Sequence, residues 1–321
     1  MKNRTRLALP LMPLVMSSLA HAQDDWPNRP VRLVIPFPPG GSTDAQGRLL
    51  AQKLSDMWGQ PVVVDNRPGA GAVLATNVVA KAPADGYTLG IVVSSHAINP
   101  TLRSNLPYDT LKDLQPVTEV GVQHIILDAN PSLPVNNLAE LLELARRQPG
   151  RLSYASPGSG TALHLVMELL KAKAGVNIVH VPYRGGAPAQ QDVMAGQVQL
   201  LVDTHYASAA LIKAGKLKPI ALFSPSRPAS VPDIPVVAET IPGVTGQSSI
   251  GVIAPAGTPH SIVQKIRADI ARAAFTPDFA QKLRDMGLDP VASSPQEYDL
   301  RIRADILKWA PVIQASGAKA D

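Results

Sequence analysis

Cysteine is absent from the 321-residue chain, which excludes disulfides, thiolate zinc sites, iron–sulfur clusters and thiol nucleophiles together. Aromatic residues make up only 4% of the chain and charged residues only 17%. So little charge excludes a charge-rich disordered chain, and 45% hydrophobic residues permit a sizeable buried interior. A long hydrophobic run is missing as well. The one candidate, Leu7 to Leu19, has about 13 residues where a spanning helix needs about 20. No lysine–arginine run interleaved with aromatics occurs, so nucleic acid is not an expected partner.

The short apolar run is preceded by Lys2, Arg4 and Arg6 and followed by Ala20-His21-Ala22 and the polar Gln23-Asp24-Asp25. A basic start, an apolar middle and a small-x-small end make residues 1–22 read as a secretory signal peptide, with the mature chain starting at Gln23. Loss of that segment lowers the formal net charge from +5 to +2. The length suits two medium domains.

Apolar, β-branched runs alternate with stretches of helical period, the pattern of parallel α/β sheets. Val31 to Ile35, Val62 to Val64, Thr88 to Val93, Ile125 to Leu127, Asn177 to Val181, Leu200 to Val202, Ile220 to Leu222 and Gly251 to Ile253 are expected strands. Helical faces run through Leu50, Leu54 and Met57, through Leu138, Leu141, Leu142 and Ala145, and through Leu163, Val166, Met167 and Leu170. The C-terminal third is mostly helical, with starts at Thr258-Pro259, Thr276-Pro277 and Ser294-Pro295, where a capping side chain precedes a proline. Ser294 with Glu297 forms a capping box, Tyr298, Ile302 and Trp309 pack inward, and Pro311 is expected to kink or end the last helix. Ser224 to Pro242, rich in proline, reads as a surface connection returning the chain from a second domain to the first.

Three loops carry the chemistry. Pro36 to Asp44 follows the first strand and includes Gly40, Gly41, Ser42 and Thr43; Ser156-Pro157-Gly158-Ser159-Gly160-Thr161 leads into the Leu163 helix; Tyr183-Arg184-Gly185-Gly186 follows the Asn177 strand. Glycines permit close backbone approach, and a helix start offers free N–H groups and positive partial charge to an anion. The first two loops contain no lysine or arginine, which suits a carboxylate better than a multiply charged phosphate. The same residues also suit plain βα turns with helix caps. Asp44 is expected to shape its loop, because its charge would repel a carboxylate at close range.

Several blocks resemble the tripartite tricarboxylate transporter solute-receptor family, also called Bug proteins. They are Trp26-Pro27-Asn28-Arg29-Pro30, Pro36 to Asp44, Asn66-Arg67-Pro68-Gly69-Ala70-Gly71, Asp85-Gly86-Tyr87-Thr88-Leu89, Val181 to Pro188 and Ala254-Pro255-Ala256-Gly257-Thr258-Pro259. The resemblance implies a periplasmic receptor of α/β class and type II periplasmic binding protein fold, its two α/β domains enclosing a ligand cleft. Domain 1 is expected over 24–122 and 248–321, and domain 2 over 123–247.

By the same resemblance, Gly40, Gly41, Ser42 and Thr43, supported by Asp44, form one pincer on a ligand carboxylate, and Ser156, Gly158, Gly160 and Thr161 form the other. His164, Tyr183, Arg184 and Asp203 match further positions near the pocket. Three of these have a second reading: a satisfied histidine at a domain edge for His164, a structural ion pair for Arg184, a cap on the following helix for Asp203. If the ligand is an amino acid, Asp203 is the expected partner of its ammonium. Ser248-Ser249-Ile250, Val73-Leu74-Ala75 and Val166-Met167-Glu168 depart from the family pattern, which bears on the ligand more than on the fold.

No enzyme motif is complete. Ser159 has Pro157 and Thr161, and Ser42 has Gly40 and Asp44, where a hydrolase elbow needs two glycines; Leu74 stands where a dinucleotide fingerprint needs its third glycine, and His164 with Glu168 is too few ligands for a metal. The chain is therefore expected to be a non-enzymatic, monomeric binding protein without cofactor or metal. Its ligand is expected to be a dicarboxylate, tricarboxylate, amino acid or aromatic acid, and its partners the membrane subunits of a transporter or, alternatively, a sensor kinase.

Overall fold

A computed structural model describes residues 26–320, so the signal-like segment and the start at Gln23 lie outside the described residues. In chain order the elements are β1 (Val31–Ile35), α1 (Ser42–Trp58), β2 (Val62–Asn66), α2 (Val73–Ala80), β3 (Thr88–Val93), α3 (Ser95–Leu102) and β4 (Leu114–Ala129). Then come α4 (Leu138–Arg147), β5 (Ser153–Ser156), α5 (Ala162–Ala174), β6 (Val179–Pro182), α6 (Gly186–Met194), β7 (Leu200–Thr204), α7 (His205–Lys213) and β8 (Lys218–Leu222). The chain closes with α8 (Val237–Thr240), β9 (Gln247–Pro255), α9 (His260–Ala274), α10 (Pro277–Asp285), β10 (Asp289–Pro290) and α11 (Pro295–Ser316).

The strands lie in the order β2-β1-β3-β9-β4-β7-β5-β6, with β8 and β10 also paired to β4. On one side, β1 pairs in parallel with β2 and β3, and β9 runs antiparallel to β3. On the other, β5 pairs in parallel with β6 and β7. β4 belongs to both: residues 114–124 pair with β9, and residues 125–129 with β7 and β8. One strand thus carries the chain across, and β9 receives it back after the proline-rich connection.

Each sheet has its own core. Leu33, Ile35, Leu50, Leu54, Leu89 and Ile266 sit in the first, and Ile125, Leu127, Leu141, Tyr154, Leu165 and Phe223 in the second, all fully buried. Helix α11 straddles the two. Tyr298 and Ile302 pack beside Val92 and Ile253 of the first sheet, whereas Trp309, Val312 and Ile313 join the core of the second.

Two local expectations are corrected, and a third is narrowed. Thr258 does not cap α9, because the helix starts one residue later with Pro259 at the N-cap and the Thr258 hydroxyl donates to Pro255 O. Thr276 holds the N-cap position of α10, but its hydroxyl donates backward to Ala273 O. Pro311 does not end α11, which continues to Ser316. Pro311 lies on the solvent side with Leu307, four residues before it, and the burial of Val312 and Ile313 outweighs the roughly 3 kcal/mol that an interior proline costs. The Ser294–Glu297 capping box is present in full.

Candidate functional site

The carboxyl ends of β1, β3 and β5 converge on one cavity of about 420 Å³, the position where open α/β sheets hold ligands. From the first sheet it is walled by Phe37, Ala70, Gly71, Val93 to Ser95, Asn99, Leu102 and Arg103, and from the second by Pro157 to Leu163. Ser248 on β9 and Ala320 complete it.

The loop before α5 is built to present its backbone. Thr161 is the N-cap: its hydroxyl accepts from His164 N at 3.2 Å and donates to Gly158 O at 2.9 Å. The N–H groups of Ala162 and Leu163, in the first turn, have no intrahelical acceptor and belong to residues that line the cavity. Gly160 has φ +70°, and a Cβ on it would lie 2.5 Å from Leu102 Cδ2, so only glycine lets the two walls meet here.

Behind the loop, a stack of rings holds it up. Gly160 N–H donates to His164 Nδ1 at 3.1 Å, His164 stacks on His180 at 3.9 Å between centroids, and His180 stacks on Tyr154 at 4.7 Å. Ser156, fully buried, places its Oγ 2.7 Å from His180 Nε2. Burial lowers the pKa of both imidazoles, to about 3 for His180, where the neighbouring His164 and Lys171 add to the effect. Both histidines are neutral at pH 7.

The Pro36 to Asp44 loop is fixed from within. Asp44 is buried and accepts from Gly40 N at 2.8 Å, from Arg48 Nε at 3.0 and 2.9 Å and from Asn66 Nδ2 at 2.8 Å. Burial alone would raise its pKa, but the hydrogen bonds from Arg48, Asn66 and Gly40 carry it down to about 2. Gly41 stands at the N-cap of α1, so neither Ser42 nor Thr43 caps the helix. Gly40, Gly41 and Ser42 are exposed, Thr43 is half-buried, and none of the four lines the cavity, although Phe37 of the same loop does.

Of the residues expected from the sequence, the cavity therefore brings together Gly158, Gly160 and Thr161, with Ser156 and His164 directly behind them. Tyr183 donates to Asp192 Oδ2 at 2.6 Å, and Arg184 is exposed with no carboxylate partner among the described residues. Asp203 is buried beneath the start of α6, where it accepts from Gln190 Nε2 at 2.9 Å and Thr204 N at 2.7 Å.

Sequence reading missed the wall built by α3. Ser94 joins the site to the return strand, its Oγ accepting from Ser249 N at 3.0 Å, and Ser95 Oγ is buried without a partner among the described residues. The signal was present as a strand, Thr88 to Val93, running into Ser94-Ser95. Pro100 inside α3 hid the helix that follows.

A second hollow, of about 640 Å³, lies where β4 crosses between the sheets. His124 Nδ1 lies 2.8 Å from Ser224 Oγ and His124 Nε2 2.7 Å from Asp289 Oδ2, tying the crossing strand to the segment after β8 and to β10. The network fastens the rear of the junction.

A family model described as the tripartite tricarboxylate transporter family receptor matches residues 47–318. The chain belongs to this receptor family. Among solved structures, the receptor resembles Rpa4515 of R. palustris with adipate at 38% identity, covering 92% of this chain and 99% of that one with a TM-score of 0.80. It resembles MatC of Rhodopseudomonas palustris with bound malate at 31% identity, 90% and 100% coverage and a TM-score of 0.75. The periplasmic binding protein BugD matches at 30% identity, 92% and 100% coverage and a TM-score of 0.75. The receptor thus has the two-domain α/β periplasmic binding protein fold expected from the resemblance, and its family is one of solute receptors, not enzymes.

Proposed function

We propose that this receptor works in the periplasm as a monomer, captures a small carboxylated metabolite between its domains and presents it to the membrane subunits of a tripartite transporter. The observation that carries the reading is the start of α5, whose unpaired Ala162 and Leu163 N–H groups border a cavity at the strand ends. The domains run over 26–122 with 248–320 and over 123–247 among the described residues, with the cavity between them. Gly158, Gly160 and Thr161 are the expected residues assigned to the ligand wall; Ser156, His164 and Asp44 hold loops in place. Gly40 to Thr43 enter as a second jaw if the cleft closes further, with Tyr183 and Arg184 on the rim.

The bound adipate and malate of the two neighbours are both dicarboxylates, which favours that class here over an amino acid. Asp203 already has two donors and lies away from the cavity, which supports a structural role over an ammonium partner. A thermal-shift screen of carboxylic acids followed by calorimetry tests the reading: a true ligand at 100 times its Kd stabilises by about 2.7 kcal/mol. Gly158→Val, with φ +155° and a β-branched side chain on the cavity lining, is expected to abolish binding while the protein still melts cooperatively. Unchanged affinity would show the loop to be an ordinary turn.

A further inference from the structure

The cavity has a second polar feature, on the first-sheet wall, and one side chain defines it. Among the described residues, Arg103 is the only ionisable side chain in the lining and no carboxylate lines the cavity. Its position is fixed from the backbone outward. Asn99 Nδ2 donates to Gly71 O at 2.9 Å, and Asn99 Oδ1 accepts from Arg103 Nε at 3.3 Å. The guanidinium lies over Gly71, where a Cβ would come within 2.9 Å of Nη2, so a side chain at 71 would displace it. Gly71 also has φ +60°, which favours glycine in its own right.

Only Nε of this guanidinium has a partner, and no acidic side chain forms an ion pair with it among the described residues. Its terminal nitrogens keep their donors, in a planar fork that suits a carboxylate. The lining also carries hydrocarbon from Phe37, Val93, Leu102 and Leu163, alongside the neutral polar side chains of Ser94, Ser95, Asn99 and Ser248. The second-sheet wall therefore offers backbone N–H groups, the first-sheet wall a cation, and both walls contribute hydrocarbon.

We propose that Arg103 is the specificity-determining residue of this receptor. It reads the second acidic group of a dianionic ligand whose two acid groups are joined by a short apolar tether, while the start of α5 holds the first. The inference rests on the carboxylate reading of the cavity. An ammonium group finds no anionic partner in the lining, and a monoacid leaves the guanidinium unpaired.

The test is calorimetry at fixed ionic strength with the straight-chain α,ω-diacids from succinate to pimelate, each paired with the monoacid of equal length. The native protein should bind its best diacid at least tenfold tighter than the matched monoacid. Arg103→Gln should weaken that diacid by about 10- to 100-fold, as expected for loss of a charge-assisted hydrogen-bonded pair. Its monoacid affinity should move by less than threefold. Arg103→Lys, which keeps the charge and loses the fork, should fall between native and Arg103→Gln for the diacid, and serves as the folded comparison if the glutamine variant melts early. Equal losses for diacid and monoacid, or no loss for either, would overturn the role of Arg103 while leaving the carboxylate reading in place. Failure of the native protein to bind any acid of the series would overturn both.

Discussion

Asp128 on β4 offers the sharpest test of the electrostatics inside the second sheet. Its side chain is fully buried, neither carboxyl oxygen has a hydrogen-bond partner among the described residues, and the Ser208 hydroxyl is buried and unpaired as well. Burial raises its pKa from 3.8 to about 7, opposed by the nearby Ser208 hydroxyl and reinforced by the charge of Asp203. A raised carboxyl pKa means that the folded state holds a proton that the unfolded chain has released, so stability falls as pH rises from about 4 to 7. A shift of about 3 units corresponds to about 4 kcal/mol at full ionisation, an upper bound because water and side-chain motion soften the cost. Asp128→Asn mimics the protonated acid. If the variant behaves as the protonated acid, it should already lead the native protein by about 1 kcal/mol at pH 4.5, and that lead should grow to about 4 kcal/mol at pH 8. Thermal melts and urea titrations at four pH values between 4.5 and 8 measure the difference. A gap that does not change with pH, or a variant less stable at pH 8, would refute the reasoning.

Two further predictions concern the loops that frame the cavity. Asp44 has the opposite sign: its folded pKa is depressed to about 2, so its contribution is complete above about pH 4 and disappears as pH falls toward 2. Asp44→Asn should cost about 2 kcal/mol at pH 7 and almost nothing at pH 2, read from melting curves, and a cost that persists at low pH would remove the charge from the account. For His180, with a pKa lowered to about 3, the unfolded state takes up a proton below pH 6.5 that the folded state refuses, so the native protein should lose stability as pH falls from 6.5. His180→Gln should flatten that decline, and an identical slope between pH 7 and 4.5 would exclude the ring stack as its source.

Strands with continuous β-branched character were legible directly: β1 and β3 have the bounds that their apolar runs predict. β4 was legible only at Ile125 to Leu127, because Pro116, Gly121, Gln123 and His124 break the apolar run that would reveal its 16 residues. Their places are dictated by partners far away in sequence, as the register shifts against β9 between Pro116 and Thr118 and between Glu119 and Gly121 show. The same limit applied to the cavity. A glycine-rich loop before a helix is a local pattern, so Gly158, Gly160 and Thr161 could be found in the sequence. Arg103 could not, since its meaning comes from Asn99 and from Gly71, 32 positions earlier in the chain. Pro311 by itself left a kink and an end equally open, because the buried residues that follow it decide whether the helix goes on.

The straddling position of α11 gives the protein an optical gauge. There are three tryptophans, and two of them, Trp26 and Trp58, meet edge to face at 5.0 Å inside the first core. Their surroundings stay constant when the lobes move as bodies. Trp309 is different: the Lys308 ammonium stands 4.6 Å from its ring centroid and donates to Thr245 O at 2.6 Å, just before the return strand β9. Because Lys308 is tethered to Thr245, outside α11, a displacement of α11 against that residue would change how the cation sits on the indole. If ligand capture displaces α11 against Thr245, emission from Trp309 should shift while the Trp26–Trp58 pair supplies an internal reference, which a stopped-flow fluorimeter would time without an attached dye.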